Sequence, residues 1–177
     1  MAFVCTVSQG AFRVQVFQAG IAGVAIISIG HDDAEPLNYS AAVGLDVLPG
    51  GLSELYFHIV EADGATNGEH IYWSGKDTGF IADPQDRETI LVSILTGLKG
   101  LLSMIGPEEF IWITYDERVP KKALLKFQAI RQAVERAGYA VTSSRASVGR
   151  KAWKAKRLPS AAIDIGEAQA NPIDLRD

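Results

Sequence analysis

Three carboxylates follow or begin the best-marked structural segments of this 177-residue chain. Asp63 ends an apolar run, Glu88 lies near the start of the first long helical pattern, and Asp116 ends the next apolar run. Hard cations prefer oxygen ligands, so clustered carboxylates bind Mg²⁺ or Mn²⁺, and such an ion can activate water for phosphodiester cleavage. The sequence therefore predicts a catalytic and metal-binding site at Asp63, Glu88 and Asp116, with magnesium or manganese as the cofactor.

The same residues stand in a pattern that resembles the ribonuclease H-like superfamily. The matching segments are Val60-Glu61-Ala62-Asp63-Gly64-Ala65, then Glu88 on the first long helix, and then Ile113-Thr114-Tyr115-Asp116. In that superfamily a strand Asp followed by Gly and a small residue, a helix Glu and a strand-end Asp hold the metal ions. The resemblance covers residues 52–142 and implies a metal-dependent nuclease core.

Each of the three carboxylates also has an ordinary structural explanation. An Asp before Gly commonly forms a turn, as at Asp63 and Gly64. A Glu near a helix start, such as Glu88, complements the positive end of the helix dipole. An Asp after a strand, such as Asp116, commonly caps the next element. The pattern leaves both interpretations open.

A second candidate site is the basic stretch between Arg145 and Arg157, which holds six basic residues and no acidic one. The other eleven basic and twenty-one acidic residues leave the rest of the chain at −10. Cations neutralise phosphates, and an indole such as that of Trp153 can stack on a base. The predicted nucleic-acid-binding residues are Lys121, Lys122, Arg145, Arg150, Lys151, Trp153, Lys154, Lys156 and Arg157. The alternative is a solvated strand or helix with Trp153 packed in the core.

Two helices are predicted between residues 83 and 138. Asp83 can cap the first, Pro84 suits its first turn, and Gly106 ends it. Apolar residues recur at helical period between these signals. The second helix is predicted to open at Pro120 and to end near Gly138.

The remaining segments predict a sheet. Short apolar runs separated by glycines before residue 50 indicate an N-terminal β-meander, and further strands are expected near 55–62, 110–115 and 139–142. The unit over 110–142 would be a right-handed βαβ crossover if its strands are parallel neighbours. The predicted fold class is α+β: a mixed, mostly antiparallel β-sheet with two main α-helices, a ribonuclease H-like core and the N-terminal meander.

Composition sets the domain and compartment expectations. A hydrophobic content of 47% suits one well-buried core, predicted over residues 1–157, with a tail over 158–177 that is expected to bind a protein partner. The single cysteine, Cys5, excludes an internal disulfide, and no basic residue precedes Arg13, so a cytoplasmic location is expected. The most apolar run, residues 19–30, is shorter than the ~20 residues that span a bilayer, so no membrane association is expected.

Two alternative functions remain open. GNAT-type N-acetyltransferases also have an antiparallel sheet leading into a helix, then a strand, a helix and a closing strand pair. They hold the pyrophosphate of coenzyme A at a glycine-containing, basic turn before the first long helix, whereas the corresponding segment 82–88 here is acidic and lacks glycine. The other alternative is a non-enzymatic adaptor or inhibitor protein, because a fold alone does not define an activity.

Overall fold

The computed structural model describes residues 3–7, 12–73, 77–115, 121–147 and 149–159. These residues form nine strands and two helices. The elements are β1 (Phe3–Cys5), β2 (Val14–Ala19), β3 (Ala22–Asp32), β4 (Leu37–Val47), β5 (Ser53–Asp63), β6 (Glu69–Tyr72), α1 (Pro84–Ile105), β7 (Glu109–Tyr115), α2 (Lys121–Arg136), β8 (Tyr139–Ser147) and β9 (Arg150–Arg157). The predicted class, a mixed and mostly antiparallel β-sheet with two main helices, is confirmed.

The strands form one sheet in the order β1-β3-β4-β5-β7-β9-β8, with β2 also paired to β3 and β6 to β5. Among the strands that the structure describes, β5 and β7 alone pair parallel, through Ser53 with Phe110 and through Glu54 with Ile111. Farther along the same edge of β5, the partner is β6, at positions 59–62. Two different strands therefore share one edge of β5.

Within the predicted N-terminal meander, β2, β3 and β4 pair antiparallel in sequence order and β5 continues the series, whereas β1 departs from the meander by pairing with β3. The sequence marks a fourth strand only weakly near residue 41, yet β4 is 11 residues long and central. Its inward side chains Tyr39, Ala41, Val43 and Leu45 are almost fully buried. At its C-terminal end β3 also pairs with β1, through Phe3 and Asp32, so this strand is 11 residues long.

The closing strands differ from the predicted βαβ arrangement. β7 and β8 are not neighbours, because β9 lies between them and pairs antiparallel with both. The basic stretch therefore supplies an interior strand. Gly149, at φ 71°, occupies the left-handed region in the turn that joins β8 to β9, a conformation that glycine adopts without strain.

The predicted ends of α1 are confirmed. The Asp83 side chain accepts a hydrogen bond from the Gln85 backbone N–H at 2.8 Å, and Gly106 ends the helix at φ 53°. Gly97 allows close packing on the sheet, since a Cβ there would lie 2.8 Å from Cδ1 of Ile27. By length and composition alone α1 could also cross a membrane, although part of it is buried against the sheet.

Both helices lie on one face of the sheet. α1 contacts β2, β3 and β4, α2 contacts β8, and the two helices contact each other. The hydrophobic core fills the space between these helices and the sheet. We call this side the helix face. The opposite side, on which neither described helix lies, is the open face.

Candidate nucleic-acid interface

Asp63 organises the turn between β5 and β6. Its Oδ1 accepts a hydrogen bond from the Ala65 backbone N–H at 2.8 Å, and its Oδ2 accepts one from the Thr66 hydroxyl at 2.6 Å. These bonds, that of Thr66 first, hold the pKa of Asp63 below its usual value. This is the turn-forming role that the sequence left open for an Asp before Gly.

The other two predicted metal ligands are not brought to Asp63 by any described contact. Glu88 is exposed on α1, which packs on β2, β3 and β4. Asp116 lies outside the described residues. No group of three potential ligand side chains is placed to hold a metal ion within the described ranges. The Mg²⁺ or Mn²⁺ site at Asp63, Glu88 and Asp116 remains a prediction.

Strand alternation divides the basic stretch between the two faces of the sheet. Successive side chains of a strand point to opposite faces. In β9 the buried Trp153 and Ala155 are in register with the buried Trp112 and Phe110, which fixes the odd-numbered residues on the helix face. Lys151 and Arg157 share that face, whereas Arg150, Lys154 and Lys156 project from the open face. The basic residues of β9 therefore do not share one surface, because some lie on the helix face and the others on the open face.

Trp153 belongs to the core. It is 7% exposed, its Nε1 donates to the Thr114 hydroxyl at 3.0 Å, and its ring is parallel to that of Trp112 with centroids 5.6 Å apart. Lys151 Nζ lies 4.3 Å from the centroid of the Trp153 ring, a cation–π distance. The indole of Trp153 is therefore enclosed, as in the packed alternative, and does not present a face to a base.

The remaining cations near the helix face include one with a clear structural role. Arg157 donates to the Gly106 carbonyl at 3.0 Å, where a cation complements the negative end of the α1 dipole. Arg145 is exposed on β8, in register with Lys151. Lys121 and Lys122 form the start of α2.

On the open face, lysines line the part of the sheet formed by β7 and β9. Lys154 forms an ion pair with Glu109 at 2.7 Å and is still 53% exposed. Lys156 is exposed and directly opposite Glu109 in the strand register. Arg150, at the other end of β9, is also exposed. These three cations share the strip with the Glu109 carboxylate, and Glu54 of the adjoining β5, in register with Ile111 on the same face, adds a second carboxylate beside it.

Three aromatic side chains form a second open-face feature, which we call the aromatic group: Tyr56, His58 and Trp73. The rings of Tyr56 and His58 are parallel with centroids 5.2 Å apart, and the His58 and Trp73 centroids are 5.0 Å apart. Trp73 is 67% exposed. His58 Nδ1 is buried without a hydrogen-bond partner among the described residues, and burial lowers the pKa of its imidazole.

A shallow pocket adjoins the aromatic group. It has a volume of about 300 Å³ and lies between the β2–β3 hairpin and the adjoining part of β4 and β5, with Tyr56 in its lining. Phe17, exposed at the tip of β2, and Val24 also line it. Apolar and aromatic surface thus continues from the aromatic group toward the sheet edge.

Sequence reasoning missed the aromatic group for an identifiable reason. The apolar run over residues 55–62 predicts a strand but does not fix its register. In the structure β6 pairs with β5 so that His70 is opposite Glu61. This register brings the ring of Trp73 next to that of His58. The alternation of Leu55, Phe57 and Ile59 with Tyr56 and His58 is the signal that separates an inward set from an outward set.

No protein-family model, curated protein or solved structure matches this chain significantly.

Proposed function

We propose that the protein binds nucleic acid through the open face of its sheet, at a patch made of the aromatic group and the β9 cations. The observation that carries the proposal is the alternation of β9. It brings Lys154 and Lys156 to the face that also displays Trp73. Cations that neutralise phosphates, beside rings that can stack on bases, are the two components of nucleic-acid binding.

The ion pair between Lys154 and Glu109 does not prevent phosphate binding. Both side chains are substantially exposed, and exposed ion pairs contribute only about 0–1 kcal/mol. A phosphate that contacts both Lys154 and Lys156 can replace the Glu109 carboxylate as the partner of Lys154. The bound nucleic acid releases counterions, which favours this exchange at low salt.

The first test is the salt dependence of binding. Fluorescence anisotropy with a labelled oligonucleotide should show tight binding at low salt and a steep decline as KCl rises. Lys154→Ala and Lys156→Ala should each weaken binding and reduce the slope of log K against log salt by ~0.7–0.9. The control is Lys99→Ala, which removes the same charge from the exposed side of α1. Equal losses in all three variants would contradict an open-face site.

Removing a negative charge from the same strip should have the opposite effect on binding. Glu109→Gln should strengthen binding because it removes a negative charge from the strip and releases Lys154. The matched control, Glu135→Gln, removes an equal charge and an exposed ion pair, that with Arg131, from α2 and should change affinity little. The expected gain for Glu109→Gln is ~2- to 5-fold, the scale of an exposed ion pair. Stronger binding by Glu135→Gln alone would place the ligand on the helix face instead.

Metal-dependent cleavage is a separate step of the proposal, carried only by the resemblance and by the types and spacing of Asp63, Glu88 and Asp116. Incubation of a bound oligonucleotide with Mg²⁺ or Mn²⁺, compared with EDTA, tests it by gel electrophoresis. Loss of cleavage in a folded Asp116→Asn variant would support the site. Full cleavage by that variant would contradict it, and absence of cleavage in wild type would leave binding alone.

Acetyl transfer is not proposed. The sequence β5, α1, β7, α2 and the β8–β9 pair agrees with the layout given above for GNAT-type enzymes. At the start of α1, however, Asp83 accepts from the Gln85 amide, and Asp86 adds a second carboxylate in the first turn. A pyrophosphate would meet negative charge where it needs donors, so the residues present do not fit coenzyme A.

A further inference from the structure

We infer that the nucleic acid recognised by the open face is single-stranded, with an unpaired base stacked on Trp73. This inference rests on the proposed nucleic-acid binding and adds the class of ligand. Its starting observation is the unusual exposure of Trp73, which is 67% accessible at the end of β6. A large aromatic ring that the fold leaves in solvent is a common feature of binding surfaces.

Contacts within the aromatic group support the ring of Trp73, on which a base can stack. The Trp73 ring lies 5.0 Å from that of His58, and His58 in turn stacks on Tyr56 at an interplanar angle of 3°. Tyr56 is itself fixed over Gly44, where a Cβ would collide with its ring. The group is thus supported from β4 outward, so binding a base requires little further ordering of side chains.

The shape of the open face favours unpaired bases. In a duplex the base faces are stacked on one another, and a protein reads base edges by inserting a helix or ribbon into a groove. The aromatic group instead lies on the surface of a broad sheet, from which no described helix projects. Single strands can splay their bases onto such a surface and stack them on aromatic rings.

The surroundings of Trp73 suit a strand that follows the sheet. Ile71, on the same face of β6, and Ile113, on the open face of β7, are both partly exposed and extend the apolar floor. Ile113 is in register with Ala152 of β9, and Lys154 and Lys156 follow along the same face, opposite Ile111 and Glu109. Bases against β5 and β6, with phosphates toward β9, would satisfy both sets of side chains.

The experiment compares a single-stranded oligonucleotide of about 12 residues with the duplex of the same sequence, as RNA and as DNA, by anisotropy. The single strand should bind at least ~10-fold more tightly. Trp73→Ala should weaken single-strand binding by ~5- to 100-fold, the range expected for loss of one base stack, and should leave duplex binding unchanged. Trp73→Phe should restore most of the affinity, because a phenyl ring also stacks.

A matched control and a second readout keep the outcomes separate. Leu125→Ala removes an exposed apolar side chain, 65% accessible, from α2 and should have no effect. Binding should quench tryptophan fluorescence in the wild type, and this quenching should disappear in Trp73→Phe while binding persists. Salt-sensitive binding that depends on Trp73 but has equal affinity for duplex would overturn the inference and leave the proposed function standing. Salt-sensitive binding with no role for Trp73 would overturn the inference and also remove the aromatic group from the proposed patch. Absence of binding to every probe would overturn both.

Discussion

The two faces of the sheet use the same residue types for different purposes. On the helix face Trp112 and Trp153 stack in the core, and Lys151 and Arg157 are held against a ring and a helix end. On the open face Trp73 is exposed, and the surface lysines of β9 project from the same side of the sheet. Tryptophan and basic residues thus stabilise the fold on one side and, in our proposal, bind a ligand on the other. Residue type alone does not distinguish these roles, whereas strand alternation does.

The largest expected contrast is between tryptophans. Trp112→Ala should lower the free energy of unfolding by ~3–5 kcal/mol, because it removes a large side chain that is 2% exposed and leaves a cavity. Trp73→Ala should change it by only ~0.5 kcal/mol, since the residue is mostly in solvent. Urea denaturation measures both. A cost for Trp73→Ala close to that for Trp112→Ala would mean that the open face is covered and structural.

A pair of glycine substitutions tests the support of the aromatic group. Gly44→Ala would place a methyl group against the ring of Tyr56 and should destabilise by ~1–3 kcal/mol, as in other overpacked sites. Gly100→Ala should be stabilising by ~0.5–1 kcal/mol, because its Cβ would lie at an ordinary 3.9 Å from Val16 and alanine favours helix. Thermal unfolding compares them. A harmless Gly44→Ala would show that Tyr56 is not fixed there.

The smallest expected effect is the contribution of His58 to pH dependence. Burial holds its folded-state pKa below the unfolded value, so the unfolded chain takes up a proton more readily. The contribution of His58 to stability is therefore present above a pH of about 6.5 and is lost as the pH falls through the lowered folded pKa. Melting temperatures of wild type and His58→Gln between neutral and mildly acidic pH should show a shallower decline in the variant. A steeper decline in the variant would reverse the sign.

Local features of this fold are predictable from the sequence. The Asp83 cap and the Gly106 stop follow from residue properties within a few positions. The insertion of β9 between β7 and β8 does not, because strand pairing depends on contacts distant in the sequence. That pairing also decides which side chains of the basic stretch share a face.

The candidate site shows the same limit. Composition identifies the basic residues of β9. Whether Trp153 shares a surface with them depends on the strand register, which the sequence does not fix. The structure encloses Trp153 and exposes Trp73. Trp73 follows a short strand that the sequence marks only weakly. Its contact with His58 depends on the pairing of β5 with β6, which the sequence does not predict.

Hydroxyl-radical footprinting, with and without a bound single-stranded oligonucleotide, tests most directly whether the open face is the binding surface. Trp73 and Tyr56 report on that face, and the exposed Met104 of α1 reports on the helix side. The account predicts that the oligonucleotide protects Trp73 from oxidation and leaves Met104 unchanged. Protection of Met104 with continued oxidation of Trp73 would contradict it.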